Sequence, residues 1–406
     1  MSALQKNLKV VVTGDVDSGK STLIGRFLYE MNSLSGGIID EIRDVCRRTG
    51  SEFEFGYLLD SLEEERRDQL TIDTTHVFCK TKRGKEFVFI DVPGHQKLLK
   101  NMLCGSSYAD MAILVIDVQK SVEEQTKRHA FILKFLGIEQ IIIVLNKMDL
   151  VGFNDTIFNK IKKEIIEFFK KLKLQPKYFI PISANQGENL IKTSKKMDWY
   201  KELTLIEALN SHFIKKENNG AFRLPIQDIY NINKEKIIVG RIISGEIKKG
   251  EKVNILPPNK EYKVKKIKVL NKEKSIACAP ESIGLILDNM DTLKRGQVIC
   301  KPTLPMISKE ILAKIFCVHA LNLNESLRFR CLTQESVAKI SQIIGVWDIA
   351  SLEPKSKGIV LNKTDFAEVV ITIENPVVVE KFEKPNNLGR FVLQNEKEIC
   401  AVGIIC

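Results

Sequence analysis

Gly14-Asp15-Val16-Asp17-Ser18-Gly19-Lys20-Ser21 is the stretch that decides how this chain folds. The eight residues match G-x-x-x-x-G-K-[ST], the phosphate-binding P-loop. The flanks are those the motif requires. Leu8–Thr13 (LKVVVT) is apolar and β-branched and reads as a buried strand, and Ser21–Met31 (STLIGRFLYEM) reads as a helix. A strand that feeds a Gly-containing loop and then a helix N-terminus presents backbone N–H groups and a positive dipole end, which suits a polyphosphate. Lys20 can reach the β- and γ-phosphates, the Ser21 hydroxyl can ligate Mg²⁺, and Thr22 beside it is counted among the nucleotide-binding residues.

The base is named by a second motif. Asn146-Lys147-Met148-Asp149 follows Ile141–Leu145 (IIIVL), a buried-strand run, and so falls at the C-terminal end of a parallel strand. Doubly wound sheets bind ligands there. An Asp carboxylate accepts two hydrogen bonds from the N1–H and exocyclic amine of guanine. Adenine offers an acceptor at the first position and no amine at the second, so Asp149 selects guanine by charge and geometry together. Ser183-Ala184-Asn185, after the strand-like Tyr178–Ile182, resembles the S-A-[KL] loop whose backbone touches the guanine O6.

Between these motifs lies Asp91-Val92-Pro93-Gly94-His95, after the strand-like Glu86–Ile90. Asp91 is placed to hold Mg²⁺ through water, as a Walker-B carboxylate does. Gly94 lets the backbone approach the γ-phosphate, because it has no Cβ. Upstream, Thr71-Ile72-Asp73 follows the charged Glu63–Asp68. A Thr here can offer its hydroxyl to Mg²⁺ and its N–H to the γ-phosphate, in a segment ordered with GTP and released after hydrolysis.

P-loop, Thr, D-x-P-G-H, N-K-x-D and S-A-x, in that order, resemble the translation-factor class of GTPases, which includes elongation factor Tu. The resemblance implies GTP/GDP and Mg²⁺ as ligands. It places His95 where this branch orients the attacking water and others carry Gln. Asp17 is the acidic neighbour that in this class can help hold a monovalent cation. Within the class, SGKSTLIGR (18–26), Leu59-Asp60-Ser61-Leu62-Glu63, Gln125–His129 and Met197-Asp198-Trp199-Tyr200 are similar to the GTPase subunit of heterodimeric bacterial sulfate adenylyltransferase. Several of them are shared with the archaeal and eukaryotic aminoacyl-tRNA carrier. The first resemblance implies a separate small catalytic subunit of ATP-pyrophosphatase type that makes adenylylsulfate from ATP and sulfate, with GTP hydrolysis driving the uphill step. A translational GTPase and a diverged GTPase that activates another small anion stay open. The class has Gly before the switch Thr; this chain has Leu70.

Composition sets outer bounds. At 406 residues and 44% hydrophobic, the chain is long enough for two or three cores. It has no apolar run near membrane-spanning length, and Met1–Lys9 is polar, so a cytoplasmic protein without membrane partners is expected. Nine cysteines without a C-x-x-C read as free thiols rather than a zinc site. The net charge of +11 invites a nucleic-acid reading. The lysines, however, alternate with apolar residues. In Ile161–Leu174, together with Phe158, the apolar positions keep helical spacing, and in Lys260–Lys274 they keep a period of two. Solvated faces are therefore expected in preference to an RNA track.

The expected fold is an α/β P-loop GTPase domain, with a parallel-type sheet flanked by helices, over residues 1–215. Two all-β barrel domains of translation-factor type follow at 221–302 and 308–406. Lys215–Gly220 (KKENNG) reads as the linker, and the prolines of Lys301–Ser308 mark the second boundary. By resemblance, Leu388–Leu393 and Ala401–Ile405 form the closing hairpin of the third domain.

Overall fold

Met111–Asp117 (MAILVID) and Ile141–Asn146 (IIIVLN) are buried at every position. Strands apolar on both faces belong inside a parallel sheet covered by helices. In the computed structural model they do. The structure describes residues 8–33, 37–49, 54–58, 75–80, 85–91, 109–120, 122–211, 220–232, 235–269, 272–288, 293–349, 351, 353–355, 358–382 and 387–406. The chain divides into two compact units, Met1–Ile214 and Lys215–Cys406.

Among the described residues, the first unit holds a six-stranded sheet: β1 (Leu8–Gly14), β2 (Thr75–Lys80), β3 (Glu86–Asp91), β4 (Met111–Asp117), β5 (Ile141–Asn146) and β6 (Tyr178–Pro181). The order is β2-β3-β1-β4-β5-β6. All neighbours are parallel except the edge strand β2, which runs antiparallel to β3. The helices are α1 (Lys20–Glu30), α2 (Ile38–Thr49), α3 (Glu124–Phe135), α4 (Asp155–Lys171) and α5 (Leu205–Asn210). Helix α1 packs on β1 and β3, and α3 on β1 and β4. Phe27 meets Phe89 edge-on with ring centroids 5.3 Å apart. Helix α4 buries Phe158, Ile161, Ile165 and Phe168 of the stripe its spacing predicts, with Leu172 buried just beyond its end and Phe169 buried in addition, and leaves its lysines largely wet. Asn154 caps α4, and α5 starts with a capping box of Thr204 and Glu207.

The second unit is antiparallel β throughout. Its first sheet runs, in spatial order, from Phe222–Pro225 through Val298–Lys301, Lys252–Leu256, Lys260–Val269, Ser282–Leu287 and Glu235–Arg241 to Asp228–Ile232. The sequence reads Lys260–Lys274 as one strand. The chain instead forms a hairpin, with Lys272–Lys274 folded back on Ile267–Val269. Period-two alternation continues through such a turn and so cannot locate it. The second sheet is a closed barrel. Leu327–Cys331, Arg390–Gln394, Ile399–Ile405, Met306–Cys317, Phe366–Val379 and Gln334–Trp347 pair in turn, and Leu327–Cys331 then pairs with Gln334–Trp347 to close the ring.

These two β domains form one body. Leu256, Val298 and Cys300 of the first belong to the core of the second. Beside them Arg223, only 2% exposed, reaches across the boundary. Its Nε and Nη2 donate to Glu380 Oε1 at 3.1 and 2.7 Å, Nη1 donates to the carbonyls of Phe222 and Lys301, and Nη2 also reaches the Thr303 hydroxyl. No disulfide joins the described cysteines. Burial pushes the thiols of Cys300 and Cys331 up to about 11 and about 12, which keeps them inert. No described helix is long and apolar enough to cross a membrane. Of the expected linker, Lys215–Gly220, all but Gly220 lies outside the described residues.

Candidate nucleotide site

The C-terminal ends of five parallel strands deliver the polar residues. Gly14 ends β1, Asp91 ends β3, Asp117 ends β4, Asn146 ends β5, and Ser183 follows β6. Strand β1 has β3 on one side and β4 on the other, so the strand order reverses at the strand that carries the P-loop. Open α/β sheets bind ligands at such a switch point.

Two glycines of the loop are dictated by contact. A Cβ on Gly14 would lie 2.2 Å from the Val115 carbonyl oxygen, and one on Gly19 would lie 2.4 Å from Asn146 Nδ2, at φ +86°. Gly19 is also the N-cap of α1, whose first residue is Lys20. The Lys20 ammonium is buried and donates to the loop carbonyls of Gly14 at 3.0 Å and Asp15 at 2.6 Å. Burial is the main influence on Lys20 and lowers its affinity for a proton, while Asp91, Asp15 and Asp17 act in the opposite sense. The Ser18 hydroxyl is buried beside Gly14 and has no hydrogen-bond partner among the described residues. Val16 is exposed on the loop, and Thr22 is half-buried in the first turn of α1.

Ser21 Oγ donates to Asp91 Oδ2 at 3.3 Å. A hydroxyl and a carboxylate at the mouth of a phosphate loop are the hard oxygen donors that Mg²⁺ prefers, so this pair fits the expected ion. Thr71, Gly94 and His95 lie outside the described residues, as does Leu70.

At the base end, Asn146 does more than the motif suggests. It is 2% exposed; its Nδ2 donates to Ser18 O at 2.8 Å, and its Oδ1 accepts from Ala184 N at 3.0 Å. One amide thus ties the phosphate loop to the Ser183-Ala184-Asn185 loop. Lys147 takes a left-handed conformation, φ +66°, and its ammonium pairs with Asp117 Oδ2 at 2.8 Å. Asp149 is half-buried just behind it, in a short 3-10 turn, Met148–Val151. Ser183 is fully buried, and its Oγ accepts from Gln186 N. Asn185 is exposed.

Three residues at the site escape motif reading. Asp117 is buried, accepts from Gln119 N at 2.9 Å, and holds Lys147. Its place at the end of an apolar strand is a signal that could have found it. His129 is buried in α3 and shares a 2.8 Å hydrogen bond with the Thr13 hydroxyl at the end of β1. Glu123, beside the N-terminus of α3, has its carboxyl pushed above the ordinary range, first by a hydrogen bond with Asp15 and then by desolvation and the Asp15 charge, against Lys120. Both contacts join segments far apart in sequence, so no local pattern carries them.

Comparison with known proteins agrees with this geometry. Residues 5–215 match the elongation factor Tu GTP binding domain, residues 235–300 match elongation factor Tu domain 2, and residues 310–406 match the GTP-eEF1A C-terminal domain-like family. The chain is 34% identical to elongation factor 1-alpha of Methanoculleus marisnigri, over 100% of this chain and 98% of that protein. It is 32% identical to sulfate adenylyltransferase subunit 1 of Bacteroides fragilis, over 98% of this chain and 85% of that protein. A GTP-binding domain followed by two β-rich domains is the arrangement these family matches describe. The chain belongs to the elongation factor Tu-like family of GTPases, with a GTP-binding domain that implies GTP/GDP and Mg²⁺.

Proposed function

We propose that the chain is the GTP-hydrolysing subunit of a sulfate adenylyltransferase, acting with a small ATP-pyrophosphatase-type subunit that joins ATP and sulfate. Phosphoryl transfer to water needs positioning and charge stabilisation more than covalent help. In this reading Lys20 leaves the Gly14 and Asp15 carbonyls for the β- and γ-phosphates, and the loop N–H groups hold their oxygens. Asp149 accepts from guanine, and Lys147 is held by Asp117. Ser21, Asp91 and Thr71 would hold Mg²⁺, which neutralises charge between the β- and γ-phosphates when bound. His95 would align the attacking water, and Asp17 would help hold a monovalent cation.

The choice of partner is carried by SGKSTLIGR (18–26), Leu59–Glu63 and Met197–Tyr200, which read most like the GTPase subunit of sulfate adenylyltransferase, together with a relative named sulfate adenylyltransferase subunit 1 that is 32% identical over 98% of this chain. In the first β domain the basic residues are largely paired. Lys266 and Lys268 both bond Glu235, Lys252 pairs with Glu261, Lys274 with Glu281, and Lys301 with Glu251. Exposed pairs of this kind add little stability, and with 17 basic against 9 acidic residues over 221–302 the domain keeps a net positive charge, so its surface charge does not separate a protein partner from RNA. The second reading, a translational GTPase delivering aminoacyl-tRNA, is favoured by relatives named elongation factor 1-alpha that are as similar as those named sulfate adenylyltransferase. Chain length does not separate the two, since the chain spans 98% of the elongation factor 1-alpha relative. The test is GTP turnover of the purified chain with each candidate added in turn. Stimulation by the small subunit, with adenylylsulfate formed, is expected. Stimulation by ribosomes with aminoacyl-tRNA, and none by the small subunit, reverses the choice.

A further inference from the structure

Arg26 lies on α1, beyond Lys20 and Ser21, and its guanidinium crosses to the other end of the site. Its Nη1 donates to Asn185 O at 2.6 Å and its Nη2 to Gln186 O at 3.1 Å. Glu30 Oε1 accepts from Nε at 2.9 Å, and the guanidinium carbon sits 4.8 Å from the centre of the Phe55 ring. The loop is drawn in tightly. A Cβ on Gly187 would lie 2.2 Å from Glu30 Oε1 and 2.4 Å from Arg26 Nη2.

The amides of this loop are almost all committed. Ala184 N–H goes to Asn146, Gln186 N–H to Ser183 Oγ, and Gly187 N–H to Ser183 O. Among the described residues, the Asn185 N–H is the amide of 184–187 with no protein acceptor. Arg26 fixes the carbonyl of that same residue and of the next. A fork of five donors on a rigid plane pins two successive carbonyls in a fixed relative geometry, which the freely rotating ammonium of a lysine at the end of a flexible stem does not impose.

We propose that Arg26 is a positioning residue for guanine recognition. It holds the 183–186 loop so that the Asn185 N–H faces the base O6, and its loss is felt at the base rather than at the phosphates. This rests on the guanine-nucleotide reading of the site. Phe55, stacked on the guanidinium, makes the hold depend on the segment 54–58 as well.

The experiment compares GDP, 6-thio-GDP and ADP binding to the full chain, wild type, Arg26→Ala and Arg26→Lys. Sulfur at position 6 is a poor acceptor, so the GDP to 6-thio-GDP preference reports the O6 contact. Wild type should prefer GDP over both; if it prefers neither, the guanine reading itself fails and the proposal falls with it. Given that preference, Arg26→Ala should weaken GDP binding about tenfold or more, the loss of a charge-assisted hold on two carbonyls, and its 6-thio-GDP preference should shrink toward one. Arg26→Lys should fall between, and it carries the test alone if the alanine variant does not fold. A preference that stays at the wild-type value in the variants overturns the assignment, whether or not overall GDP affinity drops.

Discussion

Asn146→Ala is the sharpest perturbation of the site. The side chain is buried and makes two hydrogen bonds, one to the Ser18 carbonyl and one from the Ala184 N–H. Truncation leaves both backbone groups without these partners. An unsatisfied buried polar group costs about 1–3 kcal/mol, so two together amount to about 2–4 kcal/mol after partial relaxation. The loss falls where the phosphate loop and the base loop meet, so it should appear as nucleotide affinity weakened roughly 30- to 1000-fold. Titration with a fluorescent GDP analogue measures it directly. Asn146→Asp sharpens the reading. A carboxylate still accepts from Ala184 but cannot donate to Ser18 O, and it sets two oxygens against each other. It should bind no better than the alanine variant. If either variant binds GDP within about threefold of wild type, the amide is not the tie between the loops, and the estimate from unsatisfied groups is wrong.

Other consequences can be measured alongside. Asp149→Asn should weaken GTP binding by about 2–4 kcal/mol, because an amide replaces a double acceptor; equal binding of GTP and ATP by the wild type in competition would remove the basis for this. His95→Ala should leave GTP affinity unchanged and slow single-turnover hydrolysis at least about tenfold, as expected for a group acting in the transition state; a fall in affinity at constant rate would make His95 structural. Glu123 has a carboxyl whose proton is held more tightly than usual by Asp15, so acidification through its raised pKa removes a negative charge near the phosphate loop. Nucleotide binding should therefore tighten as pH falls through that range, and Glu123→Gln should bind more tightly at neutral pH and lose the dependence. A pH profile with the same slope in wild type and variant would refute the link.

The sequence was most legible where function constrains neighbours along the chain. The P-loop, the strand ends and the Asp149 turn follow from short motifs set after apolar runs, and the structure places Gly14, Lys20, Ser21, Asp91, Asn146 and Ser183 along one edge of the sheet. Contacts across the chain were not legible. Arg26 meets Asn185 and Gln186, and Asp117 meets Lys147, through side chains whose spacing carries no period. The motif places Asn146 in the nucleotide site but carries no sign that its amide ties backbone on both sides. The hairpin after Val269 was hidden for a related reason. Alternation records which face is wet, not where a strand turns back.

The buried pairing of Arg223 with Glu380 has a consequence for how the chain can be divided. A cut between the domains would part this pair and open to water the apolar core that Leu256, Val298 and Cys300 share with the second β domain. A fragment ending near residue 303 would keep the cation and lose the anion; one beginning there would do the reverse. The two β domains thus behave as a single heritable module with no internal joint. Truncations, fusions and exchanges with relatives have their natural boundary ahead of Phe222, not between the domains.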